Sequence, residues 1–266
     1  MANSLLLNLS ALVALLPAAI LSYRREAERP DAAFWAVLLV ALAGPAVVAL
    51  LILGGPWQTG FSATLWVSVA ASLLLFTGLV ALSREAWRLT PLLLPYLLLL
   101  GVLATVWARV PSRHAPAAPD TWLSVHIALS VATYGLCTLA AVAAAAVFFQ
   151  ERALKRKKPT GLTHKLPSIA DATRLQLRLL GAGELVLAFG IATGMARNYL
   201  SSGQLLAFDH KTLLSILAFL LIGLLLILHR RTGLRGQRAA RLILVAYLLL
   251  TLAYPGVKFV TDVLLG

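Results

Sequence analysis

The chain has 266 residues, of which 60% are hydrophobic and 12% charged, and its mean hydropathy is +0.88. A soluble domain of this length cannot hide so much apolar surface, so the composition excludes a soluble globular protein and indicates a lipid bilayer as the solvent. The formal net charge is +13. Basic loops on the inner side of a membrane account for that charge, and we expect no nucleic-acid partner.

Eight apolar runs are long enough to cross the bilayer as helices. They cover residues 4–23, 33–53, 61–82, 90–109, 122–150, 182–200, 212–229 and 239–263. The pattern predicts an all-α, polytopic integral membrane helix bundle that forms one domain over residues 1–266. The single cysteine, Cys137, falls inside a run, so thiol chemistry is excluded as the main activity.

The charges between the runs predict how the chain is oriented. With the N-terminus outside, 18 of the 23 Lys and Arg residues fall at inner joins and 5 fall on the outer side. Inner loops of membrane proteins carry the excess of Lys and Arg, so both termini are expected outside. The first run has no basic residue before it, and we therefore expect an uncleaved first span rather than a signal peptide.

The longest join, residues 151–181, contains the segment "PSIADATRLQLRLL" at 167–180. Its apolar residues recur at helical intervals with arginines on the opposite face, which predicts a short amphipathic helix on the inner leaflet. The next span carries Gly190 and Gly194, a spacing typical of close helix packing.

Histidines are the main ionisable groups in or beside the spans, where such groups are functional by default. His126 lies one turn into "TWLSVHIALSVATYGLCTL". Small, hydroxyl or aromatic residues share its helix face: Trp122, Ser130, Thr133, Tyr134 and Cys137. This stripe is expected to look into the bundle. His126 is then either a metal ligand or a histidine hydrogen-bonded to a neighbouring helix.

His210 and His229 stand at the two ends of one apolar run. Nineteen residues of helix separate them by roughly 28 Å, the thickness of the hydrocarbon core, so they cannot share one metal ion. His210 belongs to the outer surface, at a depth similar to that of His126. These two imidazoles can meet.

Two imidazoles fit haem better than zinc. A zinc site normally needs three or four protein ligands, and Asp209 is the one further donor nearby. Haem needs only two axial ligands and suits an apolar pocket. The sequence therefore predicts a bis-histidine haem b site, bound non-covalently, with His126 and His210 on the iron. Outer-side cations, including Arg197 and Lys211, are expected to face the propionates.

With these residues in hand, the segment around His126 and the run from Phe208 to Val260 resemble the CcsA/CcmC/HemX superfamily of cytochrome c assembly proteins. The nearest branch is the YpjD/HemX-like group of bacterial inner-membrane proteins. The resemblance covers about 120–266. It implies that the protein binds haem and handles it for cytochrome c maturation. By position, His126 corresponds to the outer histidine before the family's haem-presenting loop, and His229 to the histidine that ends the following helix.

The loop at 198–212, "NYLSSGQLLAFDHKT", lacks the tryptophan-rich motif of the haem-delivering members of that superfamily. The resemblance therefore supports haem binding more strongly than haem delivery to an apocytochrome. The expected partners are haem, the bilayer, and either other maturation proteins or a cytoplasmic enzyme of haem synthesis, as for HemX-like regulators. We expect no catalytic activity. The alternatives are a transporter or transporter accessory without haem, and a purely structural membrane partner.

Overall fold

The computed structural model describes residues 2–24, 29–55, 60–109, 121–205, 209–233 and 236–264. Regular secondary structure in these ranges is entirely helical. Eight helical segments within them are long and apolar enough to cross a membrane. The predicted all-α bundle of about eight spans is thereby confirmed.

The helices follow the predicted runs closely, with longer extensions at the fifth and sixth spans. They are α1 (Ala2–Arg24), α2 (Ala32–Gly54), α3 (Phe61–Leu82), α4 (Thr90–Val106), α5 (Thr121–Arg156), α6 (Gly161–Lys165), α7 (Ile169–Ser202), α8 (His210–Thr232), α9 (Gly236–Thr251) and α10 (Val257–Phe259). A 3₁₀ turn at Ala86–Leu89 leads into α4, and π turns at Leu252–Gly256 and Val260–Leu264 flank α10.

Short polar residues fix where several helices begin. The Asp31 carboxylate accepts a hydrogen bond from the Phe34 backbone N–H at 2.8 Å, and Asp209 accepts one from Thr212 at 2.8 Å. Ser168 accepts one from the Asp171 N–H at 3.2 Å. Such caps satisfy backbone donors that the first turn of a helix leaves unpaired.

The spans pack as two rings of four helices. In the first ring α1 contacts α2 and α4, and α3 contacts α2 and α4. In the second ring α5 contacts α7 and α9, and α8 contacts α7 and α9. The rings meet where α5 packs against α3 and α4. We call the end of the bundle that holds Arg24, Arg88, Arg156 and Arg230 the basic end, and the opposite end the His126 end.

Helix α5 is the most enclosed span, because it belongs to the second ring and also touches the first. Its middle, from Leu139 to Val147, is rich in alanine, and small side chains let neighbouring helices approach closely. At Gly183 of α7 an added Cβ would lie 3.1 Å from the Cys137 Sγ. The predicted placement of Cys137 on an inward face is confirmed, since it is buried.

The predicted short helix on the inner leaflet is wrong. Residues 169–180 are the first half of α7, which continues unbroken through the sixth span to Ser202. Leu175, Gln176 and Leu179 are buried in this half, where α7 runs along α5. The helix does not turn onto the membrane surface because α5 extends to Arg156 and offers these side chains a packing partner.

The predicted placement of both termini on the outer side, drawn from the asymmetry of Lys and Arg, stays a prediction.

Candidate functional site

The imidazole of His126 is seated against α7. Its Nδ1 lies 3.0 Å from the carbonyl oxygen of Gly190 and 3.4 Å from the Thr193 Oγ1. A carbonyl oxygen only accepts hydrogen bonds, so Nδ1 carries the proton and donates. The lone pair of Nε2 is then available to a ligand, as in metal-binding histidines whose second nitrogen donates to a backbone carbonyl.

Gly194 of α7 makes room for this ring. A Cβ atom on Gly194 would lie 3.0 Å from the His126 Cε1 and 3.3 Å from its Nδ1, whereas one on Gly190 would make an ordinary contact with the Leu129 Cβ at 3.9 Å. The close contact predicted for the pair is confirmed at Gly194. The contact serves the histidine as well as the packing of the two helices.

His126 lines a cavity of about 410 Å³ within the second ring of helices. Its wall is built from α5, α7, the start of α8 and the C-terminal span. The polar side chains of that wall include His126, Ser130, Thr133, Tyr134, Arg197, Asn198, Asp209, Lys211, Thr212, Ser215 and Tyr254. The volume falls in the range of small-molecule and cofactor sites, about 300–1,000 Å³. The predicted inward-facing stripe of α5 is confirmed for its Ser130, Thr133 and Tyr134 positions.

Two polar atoms at the cavity have no hydrogen-bond partner among the described residues: the Arg197 Nε and the Thr133 Oγ1. Both are buried, and a buried donor without a partner costs about 1–3 kcal/mol. The guanidinium of Arg197 and the ammonium of Lys211 make the cavity suited to an acidic group.

His210 is not brought together with His126. It is exposed, and the Asp209 cap makes it the first residue of α8. The residues of that helix which line the cavity are Lys211, Thr212, Ser215 and Ile216. His210 lies instead on the outward face with Leu213 and Leu217, which are 49% and 51% exposed. The bis-histidine pair stays a prediction. In the structure, the side of α8 that lines the cavity does not include His210.

Asp209 stands beside the cavity as a carboxylate. Partial burial pushes the pKa of Asp209 upward, but hydrogen bonds from Thr212 and the nearby charges of Lys211 and His210 outweigh it and hold the pKa below its ordinary value. The group is therefore negative at neutral pH. It balances part of the positive charge of Lys211.

Trp122 and His229 do not line the cavity. Trp122 is 49% exposed at the start of α5, so the predicted stripe does not extend inward to this residue. His229 is half-buried in the last turn of α8, at the basic end. Since α8 is continuous from His210 to Thr232, the predicted separation of about 28 Å between its two histidines is confirmed. His114, expected to be a solvated loop residue, lies outside the described residues.

Four hydroxyl groups form a hydrogen-bonded network directly below the cavity. The Tyr247 hydroxyl lies 2.6 Å from that of Tyr96, 3.1 Å from that of Tyr134 and 2.9 Å from the Thr138 Oγ1. Tyr134 is shared between this network and the cavity wall. Each phenol is thereby satisfied inside the membrane, where an unpaired polar group is costly.

Sequence reasoning missed Met195 and Tyr254, which also line the cavity. Tyr254 is delivered by the π turn at Leu252–Gly256 around Pro255, and a proline in an apolar span is the signal that could have pointed to it. The cavity-facing side of α8 could also have been found from the sequence. Its polar residues Lys211, Thr212 and Ser215 form a stripe of the same kind as the one that identified the inward face of α5.

The fold and the cavity define a multi-pass helical membrane protein with an internal cavity at the His126 end of its second ring of helices. The chain matches the family model described as cytochrome C assembly protein over residues 36–265, and it belongs to that family. The match begins well before the region of about 120–266 in which the resemblance was seen, so it includes most of the first ring. Membership gives the protein a role in cytochrome c assembly.

Two relatives illustrate the range of similarity. An "Uncharacterized 28.8 kDa protein in nifR3-like 5'region" of Azospirillum brasilense is 55% identical over the whole of both chains. The inner membrane protein YpjD of Escherichia coli strain K12 is 28% identical over 188 residues, which cover 70% of this chain and 69% of YpjD. No solved structure matches the chain significantly. The predicted cytochrome c assembly superfamily is confirmed.

Proposed function

We propose that the protein binds haem b non-covalently in the His126 cavity, on the outer side of the bacterial inner membrane, and handles it for cytochrome c assembly. The proposal rests on the hydrogen bond that holds the His126 imidazole against α7. Its Nδ1–H donates to the Gly190 carbonyl, so the lone pair of Nε2 is free to bind a ligand. In a family that serves cytochrome c assembly, haem iron is the ligand that needs such a nitrogen.

The chemistry of the cavity fits this group. Leu187, Ile191, Ile216 and Leu250 supply apolar wall against which a macrocycle can lie. Arg197 supplies a buried Nε–H without a partner among the described residues, and its guanidinium suits a carboxylate such as a propionate. When bound, haem would supply an iron centre, which His126 would hold.

In this proposal the chain binds, orients and shields, and performs no catalytic step. His126 holds the iron and α7 fixes its imidazole. Arg197 and Lys211 hold the propionates. The tyrosine network closes the cavity toward the middle of the membrane and keeps water from the inner face of the ligand.

A second residue would hold the iron together with His126. Met195 lines the cavity, and a thioether binds haem iron in some proteins. His210, the partner predicted from the sequence, does not line the cavity and would reach it after a rotation of the first turn of α8.

The proposal is tested by the absorption spectrum of the protein purified in mild detergent and titrated with haem. The wild type should show a Soret band that saturates at one haem per chain. The His126→Ala variant should lose most of that absorbance, whereas the control His114→Ala should keep it. A wild type without the band, or an unchanged His126→Ala spectrum, contradicts haem binding at this site and favours the transporter or structural alternatives.

A further inference from the structure

A second cavity of about 440 Å³ lies at the basic end, far from His126. It is enclosed by the end of α1, the start of α2, the 3₁₀ turn before α4, and α6. Its apolar wall includes Ala18, Leu21, Phe34, Val37, Leu38 and Pro91. Nothing in the proposed haem function uses this space, because the haem cavity belongs to the other ring of helices and to the other end of the bundle.

Two cationic side chains, Arg88 and Lys165, line this cavity together with the imidazole of His164. No Asp or Glu is among its lining residues in the described part of the chain. Ser22 and Thr90 add hydroxyl groups to the same wall. Positive charge above an apolar wall at a membrane surface favours a molecule with an anionic head and an apolar tail.

Arg88 is held in place without using all of its donors. Its guanidinium carbon lies 5.3 Å from the centre of the Trp87 ring, a stacking arrangement that fixes the side chain. Its Nε lies 3.4 Å from the Glu85 carboxylate but is not aligned to donate, and it has no hydrogen-bond partner among the described residues. The planar fork of N–H groups suits the oxygen atoms of a phosphate.

We propose that this cavity binds the phosphate headgroup of an anionic phospholipid from the leaflet at the basic end. Arg88 and Lys165 contact the phosphate, and one acyl chain follows the apolar side chains of α1 and α2. The apolar wall argues for a lipid rather than free phosphate, because free phosphate gains nothing from Phe34 or Leu38. The lipid thereby fastens α6, in the connection between α5 and α7, to the first ring of helices.

The experiment uses the purified full chain in mild detergent, after the native lipid has been washed out. Phosphatidylglycerol, phosphatidylcholine with the same acyl chains, or inorganic phosphate is then added. Binding is read as retained lipid by native mass spectrometry and as a shift of the melting temperature. Phosphatidylglycerol should be retained and should raise the melting temperature. Phosphatidylcholine and inorganic phosphate should do neither.

The variants Arg88→Gln and Lys165→Gln should each weaken phosphatidylglycerol binding about fivefold, and the double variant about 30-fold. Arg84→Gln with Lys158→Gln is the matched control, since both residues are exposed at the same end and neither lines the cavity. If a variant fails to fold, the proposal is still tested by the charge-conserving variant Lys165→Arg. It is also tested by adding phosphatidylglycerol, phosphatidylcholine or inorganic phosphate to the wild type. Equal effects of phosphatidylcholine or of inorganic phosphate overturn the proposal, as does unchanged binding in a folded double variant.

Discussion

The imidazole of His126 lies over Gly194, and a Cβ atom on that glycine would come within 3.0 Å of the His126 Cε1. The contact is tighter than side chains normally make, so any residue larger than glycine pushes the ring away from its seat. The position of the proposed iron ligand therefore depends on a residue in another helix, 68 positions further along the chain.

Replacing Gly194 by alanine should shift the ring by a few tenths of an ångström and weaken haem binding by up to about tenfold, because the hydrogen bond to Gly190 is strained. Gly181→Ala is the matched control, since it lies in the same helix and an added Cβ there meets nothing within 4 Å. Haem titration of both variants measures the difference. Equal affinities would show that the seat of His126 does not matter for binding.

Removing the charge of Arg197 should weaken haem binding by roughly ten- to hundredfold, since a hydrogen bond to a charged group is worth about 1.5–3 kcal/mol. Arg197→Gln tests this, and Lys211→Gln should have a smaller effect because Asp209 already balances part of that charge. The control is Arg174→Gln on the same helix, where the arginine is exposed and pairs with Asp171 at 3.5 Å. A haem analogue with esterified propionates should bind wild type and Arg197→Gln equally.

The second axial ligand is decided by two variants. If Met195 occupies that position, Met195→Leu should turn a six-coordinate, low-spin spectrum into a five-coordinate one, and should lower the reduction potential. His210→Ala should then leave both unchanged. The bis-histidine pair predicted from the sequence requires the reverse pattern, so the two assignments cannot both survive the same spectra.

The orientation of the chain is tested by fused reporters that are active only outside the membrane. A reporter after Gly266 should be active and one within residues 155–165 should be silent, because the 18 cations at the basic end are retained inside. The opposite activities would place the His126 cavity on the inner side. They would also reverse the leaflet proposed for the phospholipid.

The spans and the inward face of α5 could be read from the sequence because apolar length and a stripe of small polar residues are local signals. The direction of His210 could not be read so easily. It depends on the phase of α8, which is set by the Asp209 cap and by which side of the helix meets α7 and α9. The sequence places His210 at the start of α8, where the structure has it, but sequence spacing does not show which side of α8 faces the cavity.

Residues 167–180 are a second case in which the sequence did not show which face of a helix is buried. The arginines of this segment suggested a helix on the membrane surface, and the predicted apolar face held Ile169, Thr173, Leu177 and Leu180. The structure buries Leu180 of this set, but its buried face is centred on Ala172, Leu175, Gln176 and Leu179, about a quarter of the helix circumference away. A single sequence cannot show that the preceding helix extends far enough to accept them.

Helices α5 and α7 have 36 and 34 residues and pack along each other. They are roughly 54 Å and 51 Å long, against about 30 Å of hydrocarbon, so each helix is longer than the apolar slab is thick. Because both helices are unbroken, a displacement of their basic end also moves the residues around His126. A protein bound near Arg156 would act on the His126 cavity from about 45 Å away without touching it.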